Sequence, residues 1–462
     1  MKTNNSFIIH VNADYPEEVD FAFKIAIEYR MKFKRDVVVD ISGYRKYGHN
    51  EQDMPKFTQP KMYQRVEKKE PMWKMYSKRL VDEGTFTQEE IDQLYQKKID
   101  RLEEAFEKAK TENFNPKEWD STAWGTMLST HSNSGAKAFN TNISEHDFKL
   151  IGKKITTLPT GKDFHSIIVK NYEQRLKSIE SGQNIDWATA EALAFGSLLT
   201  EGFGVRLSGE DVRRGTFSHR HAALVDQKDG SRYYPLRQLV DRDEEIKMQV
   251  YNSLLSEYGV LGFDYGYSIG APNYLTLWEA QFGDFVNVAQ PIIDQYISSA
   301  ERKWGVRSGL VMLLPHGFDG QGPEHSSARV ERFLQLIDDD PYDTRFIEGT
   351  SAKQAKMANM SVVNITEPAN YFHCLRRQIV NSDFRKPLIV LSPKKLLRLK
   401  AAQSNIEDFT NTKHFQKVLP EPKPQDIDAP DKVKQVIFCS GQLFYDLINR
   451  REELKQKVSS HL

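Results

Sequence analysis

Short β-branched runs alternate with amphipathic stretches along most of the chain. Residues 7–11 (FIIHV) and 36–41 (DVVVDI) are apolar runs of the kind that become buried parallel strands. Between them, 16–33 carries apolar residues at helical spacing, and Pro16 with Glu17 and Glu18 suits a first helical turn. Together they predict one β-α-β unit. A polar loop punctuated by Gly and Pro follows at 44–60. Residues 61–112 are charged and helical in pattern, and TFTQEE (85–90) can supply a capping box. Residues 113–160 are rich in Asn, Ser, Thr and Gly and read as a connection crossing the surface.

The pattern becomes dense again at Ile185. DWATAEALAFGSLLTEG predicts an amphipathic helix with Asp186 as its N-cap. FGVRL (203–207), YLTLWEAQ (274–281), GLVMLLP (309–315), MSVVNIT (360–366) and KPLIVLS (386–392) predict strands. Helical stretches are expected at 252–262, 288–304, 326–336 and 370–380. This alternation argues for a doubly wound, mostly parallel α/β sheet. After a Pro- and Asp-rich linker at 419–433, KQVIFCSG and FYDLINRREELKQK begin another β-α unit. The expected divisions are 1–112, a connecting segment 113–184, a domain 185–418, and the start of a further domain at 434–462.

Composition narrows the classes. Lys and Arg balance Asp and Glu, 64 against 64, so no electrostatic reason exists to expect nucleic acid or an anionic membrane as partner. Two cysteines, Cys374 and Cys439, exclude a disulfide framework and fit a reducing compartment. No apolar run reaches the length of a membrane span. The first residues show neither a signal-peptide core nor an Arg-rich transit pattern.

Polar loops after predicted strands are the candidate site, because ligands of open α/β sheets sit at the carboxyl ends of the strands. YRKYGHNE offers His49, which suits phosphate contact or proton transfer, or a packing role. GEDVRRGTFSHRHA offers Arg220 flanked by His219 and His221, a pattern for carboxylate or phosphate binding or simply a solvated charged loop. HGFDGQGPEHSSAR offers His316, Asp319 and His325, with Ser326 placed to cap the following helix. It is neither GxGxxG nor a P-loop, so a nucleotide reading has little support. SEYGVLGFDYGYS places Glu257 among apolar residues, where burial tends to raise a carboxyl pKa. WEAQFGDF offers Phe282, which reads equally as core.

Taken together these strings are more specific than any one alone. HVNAD, YRKYGHNEQDMPKFTQP, GEDVRRGTFSHRHA, NSLLSEYGVLGFDYG, LWEAQFGDF, LLPHGFDGQGPEHSSARVERFLQL, LRRQI and KPLIVLSPKKLLR resemble, in order, consecutive signatures of the decarboxylating, thiamine-diphosphate-dependent component of the 2-oxoglutarate dehydrogenase complex. The resemblance covers essentially the whole chain, least clearly at 113–160. It implies a transketolase-like fold. Residues 1–112 would close the diphosphate-binding domain, 185–418 would be the pyrimidine-binding domain, and 434–462 would open a C-terminal domain. It also implies oxidative decarboxylation of 2-oxoglutarate in the tricarboxylic acid cycle, with succinyl transfer to the lipoyl domain of a dihydrolipoamide succinyltransferase, by a homodimer. The expected location is the mitochondrial matrix in a eukaryote or the cytoplasm in a bacterium.

The resemblance also implies roles. Glu257 matches the glutamate that hydrogen-bonds the aminopyrimidine ring and favours its proton-abstracting tautomer. Phe282 matches the aromatic that packs on that ring. His325 matches the histidine near the substrate and the transferred acyl group, and His49 the histidine of a closing loop. Arg220, His221 and His316 would edge the site. One feature departs from the family: the GD…N motif that coordinates Mg2+ is absent, since the only GD is Gly283–Asp284. The metal ligands are therefore expected outside this chain, and the chain alone is expected to be inactive. The alternatives are a relative acting on 2-oxoadipate and a non-catalytic dimerisation fragment.

Overall fold

The computed structural model describes residues 5–112, 124–125, 127, 140–338, 342, 351–380, 383–426 and 430–454. Two compact units divide between Asn115 and Pro116.

In the first unit, β1 (Phe7–Asn12) and β2 (Val37–Ser42) pair in parallel, with Phe7 opposite Val37. The crossover is α1 (Pro16–Phe33). Glu17 and Glu18 fill its first turn, and Lys34 ends it in the left-handed conformation. Three helices follow: α2 (Pro60–Lys68), α3 (Met72–Asp82) and α4 (Gln88–Thr111). The expected capping box opens α4. The Glu90 N–H donates to the Thr87 hydroxyl (3.2 Å), and the Glu90 carboxylate accepts from the Thr87 N–H (2.8 Å).

The second unit begins with two helices, α5 (Glu145–Thr156) and α6 (Ser166–Ser181), where composition suggested a surface connection. Ser144 caps α5, and Phe148, Ile151 and Ile155 enter the main core from one helical face. Polar neighbours hid that stripe in the composition. The rest of the supposed connection, 113–139 apart from residues 124, 125 and 127, lies outside the described residues.

The centre is a six-stranded, all-parallel sheet. Its strands are β3 (Gly204–Gly209), β6 (Met248–Asn252), β7 (Tyr274–Glu279), β8 (Val311–Pro315), β9 (Ser361–Asn364) and β10 (Leu388–Ser392), in the order β6-β3-β7-β8-β10-β9. A two-residue antiparallel pair, β4 (Leu224–Val225) and β5 (Arg232–Tyr233), lies outside it. The helices include α7 (Trp187–Thr200), α8 (Glu257–Gly270), α9 (Val330–Leu336), α10 (Pro368–Arg377) and α11 (Gln442–Glu453). Alternate strand residues serve opposite faces. Val205, Leu207, Leu277, Leu313 and Val390 join the core that holds α5, α7 and α10. Trp278, Met312, Leu314 and Ile389 join the one that holds α8. The Asp186 carboxylate caps α7 through the Thr189 N–H at 2.8 Å, as its sequence predicts.

Several local expectations change. Residues 288–304 are not one helix. Pro291, which has no N–H to donate, lies in a run of short 3-10, α and π turns that ends in a helix at Ala300–Trp304. KQVIFCSG (434–441) forms no strand, although α11 follows it and buries Tyr445. Ser326 does not cap α9. Its hydroxyl donates to the Gly322 carbonyl (2.8 Å), and Arg329, at φ 56°, starts the helix instead.

Candidate active site

An all-parallel sheet sends every strand's carboxyl end to one edge. There the turns after β3, β7, β8 and β10 bring together residues far apart in sequence. Phe282 follows β7, His316 and His325 follow β8, and Lys394 follows β10. The Phe282 ring meets the His325 imidazole edge-on, with centroids 4.2 Å apart, and meets Phe217 edge-on at 6.1 Å. These side chains, with Asp319, Gln321, Lys394 and Arg398, line an open cleft of about 540 Å³. Gly283 makes the close approach possible. A Cβ there would sit 2.4 Å from the Cβ of Ala328 and 2.6 Å from the Pro315 carbonyl oxygen.

Glu257 is the first residue of α8, behind the Ser256 N-cap. It is half-exposed and is flanked by exposed Leu254, Leu255 and Tyr258, so the expectation of an acid sunk among apolar neighbours is corrected. Those apolar residues point outward from the loop and first turn of α8. The carboxylate has no hydrogen-bond or ion-pair partner among the described residues. It lines a narrow cavity with Glu210, Glu279 and Gln281, the last of which directly precedes Phe282 in sequence.

Arg220 is not at the edge of the site. It is buried, and its guanidinium is enclosed by two carboxylates. Its Nε donates to Glu191 at 2.5 Å and a terminal nitrogen to Glu279 at 2.9 Å; Glu279 receives a second, shorter bond. A further donation goes to the Val212 carbonyl (3.3 Å), and the Tyr371 hydroxyl also donates to Glu191 (2.9 Å). With its donors committed, Arg220 ties α7, the loop after β3 and the end of β7 together, and a ligand carboxylate cannot reach it. This overturns its reading as a substrate contact.

His221 also turns inward. Its backbone is left-handed (φ 53°), and its Nε2–H donates to the Ser218 carbonyl at 3.1 Å. Burial and the nearby Arg175 push its pKa down to about 4, so it is neutral at physiological pH. His219 is likewise held well below the usual imidazole range by burial and by Arg220. Both border a second concavity with Arg175 and His165 rather than the Phe282 cleft. His316 is half-buried, and burial lowers its pKa. Its Nδ1 accepts the Ala328 N–H (3.1 Å), which places its proton on Nε2. His316 thus steadies the loop that carries His325.

His49 belongs to the first compact unit and is exposed on its loop. Arg45 donates to its Nδ1 at 3.0 Å, and since arginine only donates, that nitrogen accepts. The Asp53 carboxylate receives the backbone N–H groups of His49 (2.7 Å) and Asn50 (3.2 Å), giving the loop a defined turn.

Comparison with known proteins finds matches along most of the chain. Residues 183–400 match the transketolase pyrimidine-binding domain, 3–118 the dehydrogenase E1 component, and 403–460 the 2-oxoglutarate dehydrogenase C-terminal family. The mitochondrial 2-oxoglutarate dehydrogenase of Dictyostelium discoideum is 47% identical over 460 residues, covering 98% of this chain and 44% of that protein. The Saccharomyces cerevisiae enzyme of the same name is 45% identical over 467 residues, with 98% and 45% covered. The 2-oxoglutarate dehydrogenase E1 component of Brucella ovis is 45% identical over 452 residues, with 96% and 43% covered. Along nearly its whole length the chain is similar to 2-oxoglutarate dehydrogenase E1 components.

It spans a little under half the length of these relatives. The described residues suit the aromatic end of a thiamine cofactor: a half-buried Phe282 ring faces an open cleft, and the unpartnered Glu257 carboxylate lines the neighbouring cavity with Gln281. Among the described residues no group of three His, Cys, Asp or Glu side chains is placed to hold a metal ion. No helix among them is long and apolar enough to cross a membrane. Sequence reasoning did not single out Lys394, Glu191 or Glu279. Lys394 stood in view in SPKKLLR, directly after a predicted strand, and that position was the available signal.

Proposed function

We propose that this chain supplies the pyrimidine-side half of the active site in a 2-oxoglutarate dehydrogenase (succinyl-transferring) E1 component. The observation that carries the reading is the unpartnered Glu257 carboxylate at the same sheet edge as the Phe282–His325 cleft. When bound, thiamine diphosphate supplies the nucleophilic carbon and the electron sink for decarboxylating a 2-oxo acid. Glu257 would hold the proton at a ring nitrogen of the aminopyrimidine. Phe282 would support one face of that ring. His325 would donate or accept a proton at the substrate oxygen and approach the acyl group. His49 would serve a closing loop, as the family resemblance implies, with Mg2+ and the diphosphate held by residues outside this chain.

The substrate is 2-oxoglutarate, and the acceptor is the lipoyl domain of a dihydrolipoamide succinyltransferase. A second copy completes the enzyme as a homodimer. In a eukaryote it works in the mitochondrial matrix; two of the cited relatives carry the word mitochondrial in their names. The test is Glu257→Ala in the full-length protein, assayed for carbon dioxide release from 2-oxoglutarate with thiamine diphosphate and Mg2+. Loss of a positioned proton-transfer group should lower turnover by about a hundredfold or more. Turnover at the parent rate would overturn the role of Glu257, and no turnover by the parent protein would overturn the reading itself.

A further inference from the structure

Lys394, two residues beyond β10, is an ammonium placed in the cleft without enough partners. Its side chain is 10% exposed and that of Asp319 is 7% exposed, and Nζ lies 3.8 Å from the Asp319 Oδ1. That is an ion pair but not a hydrogen bond, and Asp319 Oδ1 has no hydrogen-bond partner among the described residues. Among the described residues Nζ also lies over the Phe282 ring, 5.6 Å from its centroid. An ammonium carries three donors, and here they make no protein hydrogen bond among the described residues while the side chain lines the open cleft, so they are available to a ligand there. Burial lowers the Lys394 pKa, and Asp319 opposes that shift. Asp319 therefore helps keep the charge in place without saturating it, and the open side faces the cleft shared with Phe282, His325 and Arg398. An anionic oxygen of a ligand in that cleft would complement this charge.

The next step rests on the proposed reaction, whose substrate carries two carboxylates. One leaves as carbon dioxide, and its charge flows away in the transition state. A cation gripping that group would stabilise the ground state more than the transition state and slow the reaction. The other carboxylate keeps its charge throughout, so a cation there assists binding without that penalty. We propose that Lys394, positioned by Asp319, binds the distal carboxylate of the 2-oxo acid and makes the site select a dicarboxylate over a monocarboxylate.

Two measurements test this. In the full-length enzyme, Lys394→Met should raise KM for 2-oxoglutarate by about 30-fold or more, the scale for removing one partner of a buried charge pair. It should leave KM for 2-oxopentanoate, which lacks the second carboxylate, nearly unchanged. Lys394→Arg should recover part of the discrimination. Independently of turnover, reductive methylation of the unmodified chain is followed residue by residue. Glutarate should slow labelling of Lys394 relative to the adjacent Lys395, and butyrate should not. An unchanged ratio between the two substrates in Lys394→Met, or no protection by glutarate, overturns the proposal even if 2-oxoglutarate is turned over. Protection by glutarate in a protein that does not decarboxylate 2-oxoglutarate upholds the dicarboxylate site and overturns the proposed reaction instead.

Discussion

His373 shows what a single buried side chain does to the pH range in which the protein is stable. Its Nε2–H donates to the Asp408 carbonyl at 2.8 Å, and its Nδ1 accepts from the Thr141 hydroxyl at 2.9 Å, so the neutral ring is fully satisfied. Burial pushes its pKa to about 4. The folded value lies below the unfolded value of about 6.5, so as pH falls the unfolded chain takes up the proton first. The contribution is intact above about pH 6.5 and is lost between there and about pH 4. At pH 5 the loss should be on the order of 2 kcal/mol for this one residue. Urea unfolding at pH 7.5 and pH 5.0 should show a smaller pH-dependent loss for His373→Gln than for the parent, and equal losses would refute the assignment. Residue-scale chemistry was the part least legible in sequence. The HRH triplet read either as an anion-binding pattern or as a solvated charged loop, yet Arg220 is buried against Glu191 and Glu279, which lie 29 and 59 residues away. Residue type states the charge; burial depends on partners that folding brings together.

At the scale of elements, five of the six strands of the main sheet and the caps at Thr87 and Asp186 were legible because their signals are local, whereas the edge strand β6 was missed and a helix was expected from 252 instead. The shared edge was legible too, since parallel strands must end together. The failures were also local. KQVIFCSG has strand composition, but composition alone does not provide a neighbouring strand to pair with. The α5 stripe was hidden by polar flanks. The Phe282–His325 approach depends on Gly283, which packs the turn after β7 against the loop after β8. Gly283→Ala should force those segments apart and cost about 1–3 kcal/mol. Gly266→Ala, in α8 with nothing within 4 Å of the added carbon, should leave stability equal or slightly higher. Thermal melts of the two variants check this, and a Gly283→Ala melt matching the parent would show that the turn yields easily.

At the scale of the whole molecule, the loop before α8 presents Leu254 and Leu255, 83% and 77% exposed, beside exposed Tyr258 and Phe263. Apolar side chains grouped in this way mark an interaction surface, and in the proposed enzyme the covering surface is a second copy of the same chain. Leu255→Asp should therefore shift the full-length protein from dimer toward monomer in sedimentation velocity at micromolar concentration, and an unchanged dimer would place the interface elsewhere. The sequence by itself determined the α/β class, the succession of parallel strands and the loops that carry the candidate residues, because periodicity and turn chemistry act over a few residues. Only the tertiary structure decided that Arg220 and His221 are enclosed, that Glu257 stands open at a helix start, and that Lys394 joins Phe282 and His325. Those outcomes depend on contacts between segments tens to hundreds of residues apart, and no local pattern encodes such distances.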